Sequence, residues 1–222
     1  MKMANNRNAK RIRDATHNLD PSDRETYERY RREFFEDSEG KADGVYFDTN
    51  EIKPRRTVGV GFNMDQPGAV QQWNEAFKNP DGSIAVSFDE VYCGKRKLKD
   101  KEIDRLFDYS VRIREKELTR SYSRNTWNKL KPNERLAIES IYFNRPKLVR
   151  GGSDIQDFMR DYLRTSDVVY LKRAMAKILA NLDGLGDRRH AEAAMLSSHE
   201  CPIYSQPHEG QFPEHPHYSF SS

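Results

Sequence analysis

The sequence predicts an α+β protein in which a small antiparallel β-hairpin lobe packs against a mostly α-helical lobe. Short segments rich in Val, Tyr, Phe and Thr cluster in one third of the chain, and most of the remainder carries apolar residues at helical spacing. With 222 residues, the chain can bury a substantial core without metals or disulfides. A groove between the lobes is the natural place for a substrate.

Three regions follow one another along the chain. Residues 1–20 begin with MKMANNRNAKRIR, which has five cations and no acid, and we expect a basic flexible arm there. Residues 21–196 form the folded domain. Residues 197–222 mix prolines and histidines with Ser, Glu and aromatics, which is typical of a disordered tail.

Within the domain, the first helix is predicted over 21–38, where aromatic residues recur at three- and four-residue intervals and Ser22 stands as the N-cap. The segments GVYFDTN and RRTVGVGFN form the hairpin. Further helices are predicted where the sequence has a proline at a first helical position, a polar N-cap residue or a stripe of apolar residues at helical spacing. Their expected positions are 67–77, 100–118, from Pro132 onward, 154–163 with Ser153 as the cap, 168–182 and a last helix through 188–196.

Composition excludes several classes of protein. No window approaches the roughly 20 apolar residues that a membrane span needs, so we expect no membrane insertion. The 38 basic and 35 acidic residues nearly cancel, so the dense positive field of a nucleic-acid-binding protein is missing. Cys93 and Cys201 have no Cys or His at ligand spacing, so we expect free thiols and no metal or other cofactor.

Two carboxylates are placed for glycoside hydrolysis, which needs one group to protonate the leaving oxygen and another to activate water. Glu39 follows the first helix, with Gly40 as its C-cap, and Asp48 ends the first strand after eight intervening residues. Such a pair is by itself common on solvated surfaces. It becomes informative only together with the residues around it.

The next strand carries residues that suit a sugar site. Thr57 begins it, and its hydroxyl could hold a water against Asp48 across the hairpin. Gly59 and Gly61 would let a bulky sugar approach the backbone. The same glycines do not form a dinucleotide fingerprint, because FNMD follows Gly61 instead of a third glycine that opens a helix.

The stretch EGKADGVYFDTNEIKPRRTVGVGFN resembles the phage-type lysozymes, the muramidases of glycoside hydrolase family 24. The hallmark of that family is Glu-Gly, then Tyr-x-Asp, then Thr-[Ile/Val]-Gly-[Ile/Val/Tyr]-Gly. Here the three parts are Glu39-Gly40, Tyr46-Phe47-Asp48 and Thr57-Val58-Gly59-Val60-Gly61. Weaker similarity continues through PNERLAIESIYFN and GLGDRRHAEAAML, so the resemblance covers about residues 23–196.

This resemblance implies a lysozyme-like fold and a role for each matching residue. Glu39 would be the general acid, Asp48 would position the attacking water, and Thr57 would assist it. Arg188 would lie beside the acid, a place that Arg189 would take only after a shift of one residue. The implied enzyme hydrolyses the β-1,4 bond between N-acetylmuramic acid and N-acetylglucosamine in peptidoglycan, with inversion and without a cofactor.

Two departures from the family pattern concern the hairpin. The turn TNEIKPRR is three residues longer than the usual form, which could shift Thr57 relative to Asp48. The histidine that often follows the last glycine is Phe62 here. Because the carboxylates already supply acid and base, we interpret that histidine as structural and expect activity to survive its replacement.

Peptidoglycan glycan strands are therefore the expected partner of a monomeric, phage-encoded enzyme. The N-terminus has no apolar stretch of a secretory signal, so we expect synthesis in the host cytoplasm and action on the wall after release or from a virion. Two alternatives remain open. The longer turn could have disabled the site and left a wall-binding or virion structural module, or a lone acid could act as a lytic transglycosylase.

Overall fold

The computed structural model describes residues 4–48, 54–182 and 185–197. These residues form a mixed fold that is mostly helical and has one small antiparallel sheet, as the sequence predicts. None of the described helices has the length and apolar character needed to cross a membrane. The described residues also include no group of three or more His, Cys, Asp or Glu side chains arranged to hold a metal ion.

The sheet has three strands in the order β1-β2-β3, namely β1 Ala42–Asp48, β2 Arg55–Gly59 and β3 Phe62–Asn63. The first two form the predicted hairpin, which confirms that prediction. The second predicted segment splits into β2 and β3 because Gly59 and Gly61 have φ values of 66° and 70°, a left-handed conformation that glycine adopts at little cost.

Ten helices account for most of the remaining described residues. Their bounds are α1 Ala4–His17, α2 Arg24–Glu39, α3 Ala69–Phe77, α4 Phe88–Tyr92, α5 Asp100–Tyr122, α6 Arg124–Lys129, α7 Pro132–Asn144, α8 Asp154–Thr165, α9 Val168–Leu179 and α10 Gly186–Leu196. Every helix predicted from the apolar stripes is present within a few residues of its expected bounds. The short helices α4 and α6 were not predicted.

Local capping decides where α2 begins and ends. Asp23, not Ser22, is its N-cap, since the Asp23 side chain accepts a hydrogen bond from the Thr26 amide at 3.1 Å. The prediction for Ser22 is wrong because Asp20 accepts both the amide and the hydroxyl of Ser22 in a local turn. Gly40 is the C-cap, as predicted, with φ at 77°.

The N-terminal region corrects the expectation of a flexible arm over residues 1–20. Helix α1 packs against α10, α2 and α7, and Ala9, Ile12 and Thr16 are buried there. The cations Lys10 and Arg11 lie on its exposed side. A sparse apolar stripe thus holds this basic segment in the domain. Of the predicted tail, only Ser197 belongs to the described residues.

Helix α7 runs through the centre of the helical lobe, where Leu136, Ile138 and Ile141 have no exposed surface. The same apolar core continues to the sheet, where Phe62 of β3 packs against the fully buried Trp73, whose indole donates to the Val86 carbonyl at 2.7 Å. The long helix α5 contacts both α7 and the sheet. The end of α2, the end of α7 and the start of α10 meet beside the β2–β3 turn, where Glu39 contacts Asn144, Arg188 and Gly61.

Candidate functional site

Glu39 lies where the helical lobe meets the sheet. It is the last residue of α2, and Gly40 then turns the chain into β1. Its side chain is 16% exposed, so the carboxylate is partly enclosed but remains open to solvent. Groups from α7, α10 and the β2–β3 turn surround it.

The two carboxylate oxygens of Glu39 have different surroundings. Oε1 accepts a hydrogen bond from the Nη1 of Arg188, which forms an ion pair with it, and another from the Nδ2 of Asn144 at 3.2 Å. Oε2 accepts no hydrogen bond from any residue that the structure describes. One oxygen is therefore anchored, and the other is available to a ligand.

Arg188 is itself held on all sides. Its Nε donates to Glu192 Oε1 at 3.0 Å, and its Nη2 donates to the Ser140 carbonyl at 3.0 Å. Ser140 also donates its hydroxyl to Glu192 at 2.7 Å. Burial lowers the pKa of Arg188, but the carboxylates of Glu39 and Glu192 outweigh burial and raise it. The cation beside Glu39 is thus permanent and fixed in place.

Arg189 takes no part in the contact with Glu39. Its side chain is fully buried and pairs with Glu192 on the same helix. Successive residues on a helix point in different directions, so only one of the two arginines can face Glu39. The structure places Arg188 there, the position that the resemblance assigns to it.

Gly61 closes the site from the sheet side. A Cβ at this position would lie 2.9 Å from Cε1 of Phe143 and 3.2 Å from the carboxyl carbon of Glu39. The missing side chain therefore makes room for Glu39 itself. Gly59 lies elsewhere, since its Cβ would contact Ile103 and Leu106 of α5 at 3.6 and 3.8 Å. The structure does not bring Gly59 to Glu39.

Thr57 is buried in β2, opposite Tyr46. Its hydroxyl donates to the Arg55 carbonyl at a long 3.4 Å. The backbone of Asp48 pairs with Arg55 at the end of the hairpin where the chain passes from β1 to β2, two ladder positions from Thr57. The side chain of Asp48 and residues 49–53, which include most of the longer connection expected from the sequence, lie outside the described residues.

Three residues that support Glu39 were not predicted: Ser140, Phe143 and Asn144, all on α7. Ser140 and Asn144 are four residues apart and so share one face of the helix. Both are polar residues in a helix whose other members are mostly buried. This polar pair at helical spacing is the signal in the sequence that could have identified them.

A carboxyl with one anchored and one open oxygen, where the helices meet the sheet, can donate or accept a proton in a directed way. The fixed cation at its side can stabilise the carboxylate that remains after proton donation. Comparisons with family models, with curated proteins and with solved structures find no match for the chain. The function is therefore argued from this geometry and from the residue pattern.

Proposed function

We propose that the protein is a muramidase with a lysozyme-like fold, which hydrolyses the β-1,4 bond between N-acetylmuramic acid and N-acetylglucosamine in peptidoglycan. The observation that carries the proposal is the Glu39 carboxyl, which Arg188 and Asn144 hold through Oε1 while Oε2 stays open. The motif pattern around Glu39, Asp48 and Thr57 adds to this support.

In the proposed reaction, Glu39 carries a proton on Oε2 and transfers it to the glycosidic oxygen as the bond to the anomeric carbon breaks. Asp48 accepts a proton from a water molecule that attacks the anomeric carbon from the opposite face, which inverts its configuration. The products are two shorter strands, one of which has a new reducing end. Arg188 and Asn144 hold Oε1, which limits the directions that Oε2 can take toward the leaving oxygen.

We further propose that Thr57 helps to hold the water and that the enzyme acts on the cell wall after release from the host or from a virion. Glycan strands bearing carboxylates suit the slight cationic excess of +3. No cofactor takes part in this chemistry, since the two carboxylates supply both proton transfers.

The decisive test replaces Glu39 with Gln, which keeps the shape of the side chain but cannot donate an acidic proton. We expect hydrolysis of purified sacculi to fall at least about 100-fold, because general acid catalysis contributes that much or more, while binding to sacculi persists. Glu25→Gln, the same substitution at an exposed position of α2, serves as the matched control.

The products separate the alternatives. New reducing ends support a muramidase, whereas anhydro ends indicate a lytic transglycosylase. Binding without any hydrolysis by the wild-type protein identifies a wall-binding module. Full activity of Glu39→Gln contradicts the proposed role of this residue.

A further inference from the structure

A second arginine stands near Glu39, and its contacts differ from those of Arg188. Arg114 of α5 donates one hydrogen bond, from Nη1 to the Ser110 carbonyl of its own helix at 3.1 Å. Its Nε and Nη2 have no hydrogen-bond partner among the described residues, and no described carboxylate lies within 4.0 Å. Arg188, by contrast, uses all three of its nitrogens.

Phe143 links Arg114 to the site. The guanidinium carbon of Arg114 lies 4.1 Å from the centre of the Phe143 ring, close enough for a cation–π contact. The edge of the same ring reaches the β2–β3 turn, where Cε1 is 2.9 Å from the position of a Cβ on Gly61. One aromatic ring thus touches the wall of the Glu39 site and supports a guanidinium.

The surroundings of Arg114 do not balance its charge. Burial lowers the pKa of Arg114 to about 10, and the carboxylates of Glu39 and Glu117, with Tyr142, offset only part of that effect. The guanidinium remains charged at neutral pH, and the residue is still partly exposed. A desolvated cation with free N–H groups is stabilised when an anion binds to it.

We propose that Arg114 binds a carboxylate carried by the muramic acid unit, so that the enzyme favours peptidoglycan over neutral glycans. This inference rests on the proposed function and names the feature of the substrate that the site would select. The cation–π contact with Phe143 limits where the guanidinium can lie, and a planar fork of N–H groups matches a carboxylate better than it matches a neutral acetamido group.

The carboxylate has two chemical sources on a glycan strand. Strands that keep their stem peptides carry peptide carboxylates, and strands from which the peptides have been removed carry the lactyl carboxylate itself. Both arms belong in the test, together with strands whose carboxylates have been converted to amides. Amidation removes the charge and leaves the sugar backbone unchanged.

The experiment measures kcat and KM on these substrates for the wild-type protein, Arg114→Met, Arg114→Lys and the control Arg112→Met. Arg112 is exposed on the same helix, so its replacement changes the net charge by the same amount. For Arg114→Met we expect KM on carboxylated strands to rise about tenfold, the typical effect of losing a charge-assisted hydrogen bond, with kcat changed less than about twofold. Arg114→Lys, which keeps the charge but loses the fork, should raise KM about threefold.

Amidation should raise the KM of the wild-type protein to the value of Arg114→Met and leave the KM of that variant nearly unchanged. If amidation has this effect on peptide-bearing strands, Arg114 binds a peptide carboxylate; if it has this effect on peptide-free strands, Arg114 binds the lactyl carboxylate. The proposal would be overturned if Arg114→Met raised KM by the same factor on amidated and carboxylated strands. It would also be overturned if Arg114→Met and Arg112→Met had the same KM on carboxylated strands. If Arg114→Met does not fold, as judged by circular dichroism, an unchanged KM of Arg114→Lys overturns it instead.

Failure of this inference can be told apart from failure of the proposed function. A wild-type protein that releases no reducing ends contradicts the muramidase proposal. Equilibrium binding of the Glu39→Gln protein to the same strands then makes the comparison without turnover. In the Glu39→Gln background, we expect the Arg114 substitutions to raise the dissociation constant by the same factors as those given above for KM. Equal dissociation constants with and without the Arg114 substitutions would contradict the proposed carboxylate contact.

Discussion

Glu39 takes its orientation from residues that are far apart in the sequence. Asn144 ends α7 and Arg188 lies in the first turn of α10, yet both donate to the same oxygen of Glu39. Gly61, in the β2–β3 turn, has no side chain and so leaves room for the other oxygen. A carboxylate held in this way loses little further freedom when it meets a substrate, which is the physical basis of preorganisation.

Gly61→Ala tests this arrangement directly. The φ of 70° disfavours any side chain, and the new Cβ would collide with Phe143 and crowd the Glu39 carboxyl. We expect the free energy of unfolding to fall by about 2–4 kcal/mol, from a left-handed conformation plus overpacking. Hydrolytic activity should fall as well, because Glu39 must move. Urea unfolding and a sacculus assay measure the two effects.

Gly82→Ala is the matched control for that substitution. Gly82 also has a positive φ, 88°, but no atom lies within 4 Å of a Cβ there, so only the backbone cost of about 1–2 kcal/mol should appear. If the two variants were equally stable and equally active, the close contact of Gly61 with Glu39 and Phe143 would have no energetic role.

At the scale of elements, α1 shows how a polar helix can belong to a core. Few of its residues are apolar, yet Ala9 and Ile12 are 1% and 0% exposed. The Thr16 hydroxyl donates to the Ile12 carbonyl at 2.7 Å, which satisfies the one buried hydroxyl of the stripe. The helix packs against α10, which carries Arg188, so α1 supports the site indirectly.

Ile12→Ala is expected to lower the free energy of unfolding by about 2–5 kcal/mol, the usual cost of truncating a fully buried Ile. The neighbouring exposed Lys10→Ala should change it by no more than about 0.5 kcal/mol. Urea denaturation of both variants decides the question. If Ile12→Ala were as stable as the wild-type protein, α1 would not be part of the cooperative unit.

The elements that could be predicted are those with a strong apolar period or a distinct turn. Helices α5 and α8 have such a period, and the β1–β2 hairpin has strands rich in β-branched and aromatic residues. Helix α1 is mostly polar, and its apolar stripe, Ala9 and Ile12, is too sparse to distinguish a packed helix from a solvated arm. At the α2 N-terminus, Asp20 and Ser22 form a local turn that moves the cap to Asp23.

The candidate site could be predicted only in part for a similar reason. Sequence motifs identify Glu39 and Arg188, which the structure brings into contact. The residues that hold them, such as Ser140 and Asn144, lie in the more weakly similar stretch 132–144, which predicts a helix but no site role, and they are defined by the way α7 crosses the end of α2. Packing of helices, which the sequence does not encode locally, selects these partners.

At the scale of the whole molecule, a buried set of charges joins α2, α5 and α7. Arg31 lies 3.4 Å from Glu115 and 3.6 Å from Glu139, and its side chain is 3% exposed. Neither oxygen of Glu139 has a hydrogen-bond partner among the described residues. Burial raises the pKa of Glu139 to about 7, although Arg31 acts in the opposite direction, and Glu115 reinforces the increase.

This raised pKa makes the stability of the domain depend on pH. Between its ordinary value of 4.5 and about 7, Glu139 binds its proton more tightly in the folded protein than in the unfolded chain. The free energy of unfolding therefore falls as the pH rises through this window, and the full loss, about 3 kcal/mol, is reached above it. The charge of Glu139 is costly there chiefly because the side chain is buried, and Arg31, which could offset the cost, is shared with Glu115.

Glu139→Gln removes the titrating group and keeps nearly the same volume. We expect the variant to gain stability relative to the wild-type protein as the pH rises, with a difference at pH 8 that is about 3 kcal/mol more favourable than the difference at pH 4. Urea unfolding at several pH values measures this change, and Glu75→Gln, at an exposed position of α3, controls for net charge.

A difference in the free energy of unfolding between Glu139→Gln and the wild-type protein that stays constant from pH 4 to 8 would mean that Glu139 titrates alike in the folded and unfolded states. Glu139 would then contribute nothing to the pH dependence of the fold.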